Sequence, residues 1–304
     1  MAIGISPLVD FAFKLMLGSP EHSGITIHFL NSILVGQPRI TQVKFQNPFI
    51  DKESDDDKLS VLDILATDEH GRQLNIEMQT SLPAGMSQRL TYYVSAQYVG
   101  QLSEGQRYSR LRPAISICVL SQAMFSASPA LHLDFRLREA STNLALTDDL
   151  QIHLLQLNHL QVTEEDVYDA TPAERWAYFL QNAEKLTPAE IRRLFPDQQF
   201  FEAAGVLEMI SKTPEHLLAY NARLKFQRDE AARMEQATLE GEARGEARGV
   251  EIGETRGRQI GRISLLQELL GQRFWSAEEF AACDTAQLNA IADQLQQQLR
   301  ARNS

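Results

Sequence analysis

The stretch from Asp63 to Gln79, DILATDEHGRQLNIEMQ, constrains this chain more than any other. Two strand-like segments, SVLDILAT at 60–67 and QLNIEMQT at 73–80, are separated by Asp68-Glu69-His70-Gly71. Strand residues two apart share a face, so Glu77 and Gln79 point one way while Leu74, Ile76 and Met78 point the other. A three-residue hairpin loop normally ends in a left-handed residue, and Gly71 supplies it if Glu69, His70 and Gly71 form the loop. Asp68 and Arg72 then flank the turn, and equal steps outward set Asp63 opposite Glu77. Directly paired side chains lie about 5 Å apart at Cβ. Asp63, Glu77 and Gln79 therefore converge on one face of an otherwise apolar hairpin.

Two adjacent carboxylates on a largely buried strand pair repel each other and are costly to desolvate. A cation between them removes both problems, and an oxygen-only ligand set suits Mg²⁺, which keeps several waters and is completed by substrate phosphate. Such an ion polarises a phosphoryl oxygen and activates water, so phosphodiester hydrolysis is the chemistry this pattern serves. The alternative on spacing alone is a pair of solvent-facing acids on neighbouring strands.

Around the hairpin, residues 6–35 read as helical: Ser6-Pro7 fits an N-cap and first turn, and Gly18-Ser19-Pro20 breaks the segment in two. A strand is expected at 40–50, an acidic loop at 51–58 and a helix at 86–103. Further strands are expected at 114–120, 131–138 and 151–157. From about 161 the alternation gives way to charged helical segments, opening on the capping pattern Thr171-Pro172-Ala173-Glu174. A last amphipathic segment runs from about 263 to 301, interrupted near Ser276 and Asp284.

Charge bears on the partner. The net charge of −11 runs against nucleic acid, since phosphate binding rewards Lys and Arg. Residues 1–125, however, hold 10 Lys plus Arg against 12 Asp plus Glu, and the remainder hold 19 against 28, so the acidity lies mostly in the C-terminal part. Arg89 and Tyr93 share a helix face just after the hairpin, where they can meet phosphate, with plain helix packing as the rival role. Arg107, Arg110 and Arg112 can grip a backbone or form a solvated loop. The acidic residues at 53–57 offer extra metal ligands or a polar loop. Cys118 and Cys283 lack metal-ligand spacing, and no apolar run spans a membrane. The opening MAIGISPLVDFAFK lacks the basic lead and cleavage site of a secretory signal, so a cytoplasmic protein is expected.

These blocks together resemble the Rpn family of recombination-promoting nucleases and transposases, a branch of the PD-(D/E)XK nuclease superfamily. The resemblance rests on Asp10-Phe11-Ala12-Phe13-Lys14, on Leu62-Asp63-Ile64 leading to Asn75-Ile76-Glu77-Met78-Gln79, and on Arg89 to Tyr93. It continues through Gly105 to Pro113, Trp176 in ERWAYFL and the glycine-rich tail. It implies an α/β restriction-endonuclease-like mixed sheet flanked by helices at about 1–160, a helical region at 161–235 and a helical tail at 236–304. It implies DNA as substrate, Asp63 and Glu77 as metal ligands joined by Asp10 from the first helix, and Lys14 beside it as a DNA contact, with a solvated (i, i+4) ion pair as the other reading of Asp10 and Lys14. Gln79 takes the place of the superfamily's usual lysine, and Leu62 stands where a proline is usual. The activity expected is Mg²⁺-dependent endonucleolytic cleavage, in recombination, mobile-element biology or defence. The alternative is a catalytically weak assembly protein whose nuclease-like core binds DNA or a protein.

The tail holds Gly241, Gly245, Gly249, Gly253, Gly257 and Gly261, four residues apart. Each interior glycine costs a helix about 1 kcal/mol relative to alanine. Close packing of another helix on the small-residue ridge offsets this, and an identical chain is the simplest partner, giving a homo-oligomer. A flexible charged linker is the other reading.

Overall fold

A computed structural model of the chain describes residues 1–46 and 64–302. Asp63, Leu62 and the acidic residues 53–57 lie outside the described residues, as do the ends of the strands expected at 40–50 and 60–67.

The first helices are α1 (Asp10–Gly18) and α2 (Ser23–Ile33), separated by a 3-10 turn at Pro20–His22. Strands β1 (Val43–Gln46), β2 (Ile64–Asp68) and β3 (Gln73–Gln79) follow, then α3 (Met86–Val99), β4 (Ala114–Leu120), β5 (His132–Arg138) and β6 (Ala145–Gln156). These six strands form one sheet in the order β1-β2-β3-β4-β6-β5. The β1–β2 and β2–β3 pairs are antiparallel, β3, β4 and β6 run parallel, and β5 returns antiparallel on β6. All seven residues of β4 are buried, as a central parallel strand covered on both faces requires. This mixed sheet flanked by helices is a restriction-endonuclease-like α/β fold, followed by a long helical C-terminal region.

The two sheet faces differ. Leu74, Ile76 and Met78 of β3, with Ile115, Ile117 and Val119 of β4, join the main core. That core also takes Phe13, Met16 and Leu17 from α1 and Phe29 and Leu30 from α2. Helices α4 (Pro172–Asn182), α5 (Pro188–Leu194) and α6 (Gln198–Lys212) add Trp176, Phe179, Ile191 and Phe200. The opposite face carries a smaller cluster in which Met86 and Leu90 of α3 cover Cys118, Leu120 and Leu154. Helices α4 and α5 each start on a complete capping box, Thr171 with Glu174 and Thr187 with Glu190.

Three expectations shift. The first helix begins at Asp10, not after Ser6, because Ile3 and Gly4 donate from their backbone nitrogens to Leu186 O (3.0 Å) and Glu184 O (2.9 Å) and hold the leading residues out of the helix. Strand β6 starts six residues earlier than 151, because Leu137 and Arg138 of β5 continue to pair with Thr147 and Ala145. Helix α3 stops at Val99, with Gly100 as its C-cap.

Contacts divide the chain into Met1–Asp229 and Glu230–Ser304. Helix α7 (Pro214–Leu270) runs from the first into the second without a break and carries all six tail glycines. A Cβ built on any of the six meets nothing within 4 Å. In the second unit, Ile263 and Leu266 of α7 pack with Phe280 of α8 (Ala277–Ala281) and with Leu288, Ala292 and Leu295 of α9 (Thr285–Arg302). No helix among the described residues is long and apolar enough to cross a membrane.

Candidate active site

The β2–β3 turn has the geometry its sequence calls for. Gly71 lies in the left-handed region at φ +81°, its N–H donates to Asp68 O at 3.0 Å, and Asp68 N donates to Arg72 O at 3.2 Å. The pairing Ile64↔Ile76, Leu65↔Asn75 and Ala66↔Leu74 follows. This is the register obtained by counting outward from the turn, reached one residue short of Asp63.

Glu77 stands on β3, in the middle of the sheet, opposite Cys118 of β4, and is 2% exposed. Gln79 is half-buried opposite Leu120. Since Cys118 and Leu120 belong to the cluster under α3, Glu77 and Gln79 project from that face, away from the main core. Burying a carboxylate costs several kcal/mol unless charge or hydrogen bonds compensate. Helix α3 brings Arg89 and Tyr93 over the same face: Tyr93 is buried, and the Arg89 guanidinium sits 5.3 Å from the centre of its ring.

Asp10 and Lys14 are placed differently. Both lie on α1, whose buried residues pack into the main core on the other face of the sheet. Lys14 Nζ is 3.0 Å from Asp10 Oδ1, and Arg223 Nε is 3.8 Å from Asp10 Oδ2. These residues line an open cleft of about 400 Å³ with Phe11, Leu15 and Gly18. Gly18 itself packs closely on the start of β2, where a Cβ added to it would lie 3.1 Å from Ile64. Arg107 and Arg110 are exposed, and Arg112 is held by reciprocal backbone bonds to the Gln101 side chain at 2.9 Å each.

As a metal site, the described donors on the α3 face are the Glu77 carboxylate and the Gln79 amide oxygen, which suit a hard, oxygen-preferring cation. Among the described residues no group of three or more His, Cys, Asp and Glu stands together as a ligand set. Sequence reasoning passed over Asn75, which is 1% exposed on the same face as Glu77 and donates to Ser116 Oγ at 3.5 Å. Its position two residues before Glu77 was the available signal.

A mixed sheet with a buried acid on a central strand follows the core plan of restriction-endonuclease-like nucleases, with Gln79 at the position where a lysine is usual. The sequence description of the PD-(D/E)XK nuclease family transposases matches residues 7–237, three quarters of the chain, which takes in the whole sheet and helices α1 to α6. The chain belongs to that family. Neither the comparison with curated proteins nor that with solved structures gives a match.

Proposed function

We propose that the protein is a Mg²⁺-dependent DNA endonuclease with Asp63, Glu77 and Gln79 as its catalytic residues. The observation that carries this reading is Glu77: a buried acid on a central strand, on the sheet face away from the main core, in a chain of this family. Glu77 and Asp63 act as the anionic oxygen ligands. A bound divalent ion supplies Lewis acidity at the phosphoryl oxygen and a lowered pKa for its water. Gln79 brings no positive charge; its amide can accept a hydrogen bond from the attacking water and fix its direction. Arg89, held against Tyr93, offers a planar donor fork suited to a phosphate. Lys14 would make a second backbone contact from α1, and Asp10, paired there with Lys14 and Arg223 on the other face of the sheet from Glu77, would orient that lysine instead of joining the ligand set expected of it. The setting is DNA recombination, mobile-element movement or defence in the cytoplasm, where the free cysteines Cys118 and Cys283 stay reduced.

The test is cleavage of supercoiled plasmid with Mg²⁺, with EDTA and with Glu77→Gln. The variant keeps shape and removes one anionic ligand, so cleavage should fall at least about a hundred-fold while the fold is kept. Cleavage at the wild-type rate would show that Glu77 is not catalytic. A second reading, a core that binds DNA or a protein without cutting it, is favoured by Gln79 in place of lysine and by the net charge of −11. DNA binding without Mg²⁺-dependent cutting is the result that would select it. The exposed glycines of α7 supply a surface for self-association of the tail, and a dimer would bring two sites to one duplex.

A further inference from the structure

The sheet ends on β5, and this strand carries a pattern that the candidate site does not use. Gln156 N donates to Leu131 O at 2.7 Å, and the pairing continues as Leu133↔Leu154 and Phe135↔Ile152. Hydrogen-bonded pairs in an antiparallel ladder recur at every second residue. The N–H and C=O groups of Leu133 and Phe135 therefore turn toward β6, and those of His132, Asp134 and Arg136 turn outward. No further strand meets them among the described residues. Edges are commonly protected by charged side chains, above all lysine, by proline, by bulges or by a covering segment. Residues 132–138 contain neither lysine nor proline, and Phe135 and Leu137 are 41% and 44% exposed. An irregularity beyond Arg136 confines regular pairing to a short stretch.

The segment Leu133-Asp134-Phe135-Arg136-Leu137, whose last residue lies just past that irregularity, has the same chemistry read in either direction once acid and base are exchanged. An antiparallel pairing of two copies about Phe135 sets Asp134 opposite Arg136 of the second copy, and Leu133 opposite Leu137 of the second copy. The outward-turned residues then meet each other, so ladder bonds form at both Asp134–Arg136 positions. The two Phe135 rings meet at the axis, in the closer, non-hydrogen-bonded kind of pair. Centring on Asp134 would oppose two carboxylates, and centring on Arg136 two guanidinium groups. Centring between residues would set outward-turned groups against inward-turned ones. Arg136 Nε is bound to both oxygens of Asp134 (2.9 and 3.0 Å), and its NH1 to Asp148 at 2.8 Å, so the charged row is already ordered before a partner arrives. We propose that β5 pairs with β5 of a second copy in this register and joins the two sheets across a two-fold axis.

The inference stands apart from the site's chemistry and from the tail, and the test is specific to the strand. In the full chain carrying Cys283→Ser, Phe135→Cys places two thiols at the axis. Directly opposed Cα atoms there lie about 4.5 Å apart, within disulfide reach. Leu137→Cys faces Leu133 of the second copy, and its own counterpart lies about four residues, or 13 Å, along the strand. Mild oxidation at micromolar concentration should convert Phe135→Cys, and not Leu137→Cys, to a disulfide dimer on a non-reducing gel. Adding Arg136→Asp should cut the yield at least about tenfold through opposed carboxylates, and adding Asp134→Arg as well should restore it. Circular dichroism checks that each variant is folded. Equal cross-linking of Phe135→Cys and Leu137→Cys, none in either, or no rescue by the charge exchange overturns the proposal.

Discussion

Asp68 and Arg72 close the base of the hairpin that carries Glu77, and both are buried. Asp68 Oδ1 accepts from the backbone nitrogens of His70 and Arg72, each at 2.9 Å, and Asp68 Oδ2 meets Arg72 Nε. Arg72 NH2 donates to Pro38 O at 2.8 Å, and NH1 to Gln37 Oε1 at 3.3 Å. Asp68→Asn keeps the shape and leaves one oxygen for the two backbone donors. It also turns an amide N–H toward Arg72 Nε–H and leaves a buried guanidinium without its anion. Removing one partner of a buried pair costs about 3–5 kcal/mol, a large share of the roughly 5–15 kcal/mol that holds a domain folded. Asp68→Asn/Arg72→Met removes the stranded charge at similar volume and should recover most of that loss. Urea unfolding followed by Trp176 fluorescence in a Trp275→Phe background measures all three proteins. A loss below about 1 kcal/mol in the single variant, or a double variant no more stable than the single, would refute the reasoning.

Acid should weaken the β5–β6 region. His132 Nε2 and His153 Nδ1 are 3.0 Å apart, and burial, opposed by Asp134 and reinforced by the charges of His132 and Arg136, pushes His153 down from 6.5 to about 4. The folded state then binds fewer protons than the unfolded one between those values. Stability is complete above about 6.5 and falls toward pH 4 by about 3 kcal/mol. Urea midpoints at pH 7.5 and 4.5 measure it, and His153→Phe should flatten the difference; an unchanged pH dependence in that variant assigns the effect elsewhere. Gln79→Lys should leave plasmid cleavage equal or faster, because a cation stabilises developing phosphoryl charge; complete loss with an intact fold would mean that the amide has a task a lysine cannot perform. Replacing Gly245, Gly249 and Gly253 with leucine should raise tail helicity and weaken self-association, as read by sedimentation equilibrium. Unchanged association would place the contact elsewhere.

The elements legible in the sequence are those whose signals are local. Gly71 fixed the β2–β3 turn because a left-handed position admits few other residues, and the alternation of 73–80 then set the faces of Glu77 and Gln79. The buried run 114–120 and the Thr171 capping box were equally direct. Features set by distant partners were not legible. Arg72 reads only as a residue flanking the turn, and its bonds to Pro38 and Gln37 are set by the fold. His132 and His153 are 21 positions apart, and only strand pairing brings their rings together. Lys14 beside Asp10 was visible as a helical pair, whereas the approach of Arg223, more than 200 residues further on, was not.

The glycines of α7 recur every four residues, while the helix turns once in 3.6, so each step rotates the row by about 40°. From Gly241 to Gly261 the row climbs about 30 Å and swings about 200° around the axis. A straight helix laid alongside would touch about three of the six before the row turned away. Rows of this kind interlock when two helices cross at about −50°. Two such tails would therefore meet as an X near Gly249 and Gly253, with arms that diverge on either side, rather than as a zipped rod. In that arrangement the exposed Leu265 and Leu269, further along α7, stay clear of the crossing point.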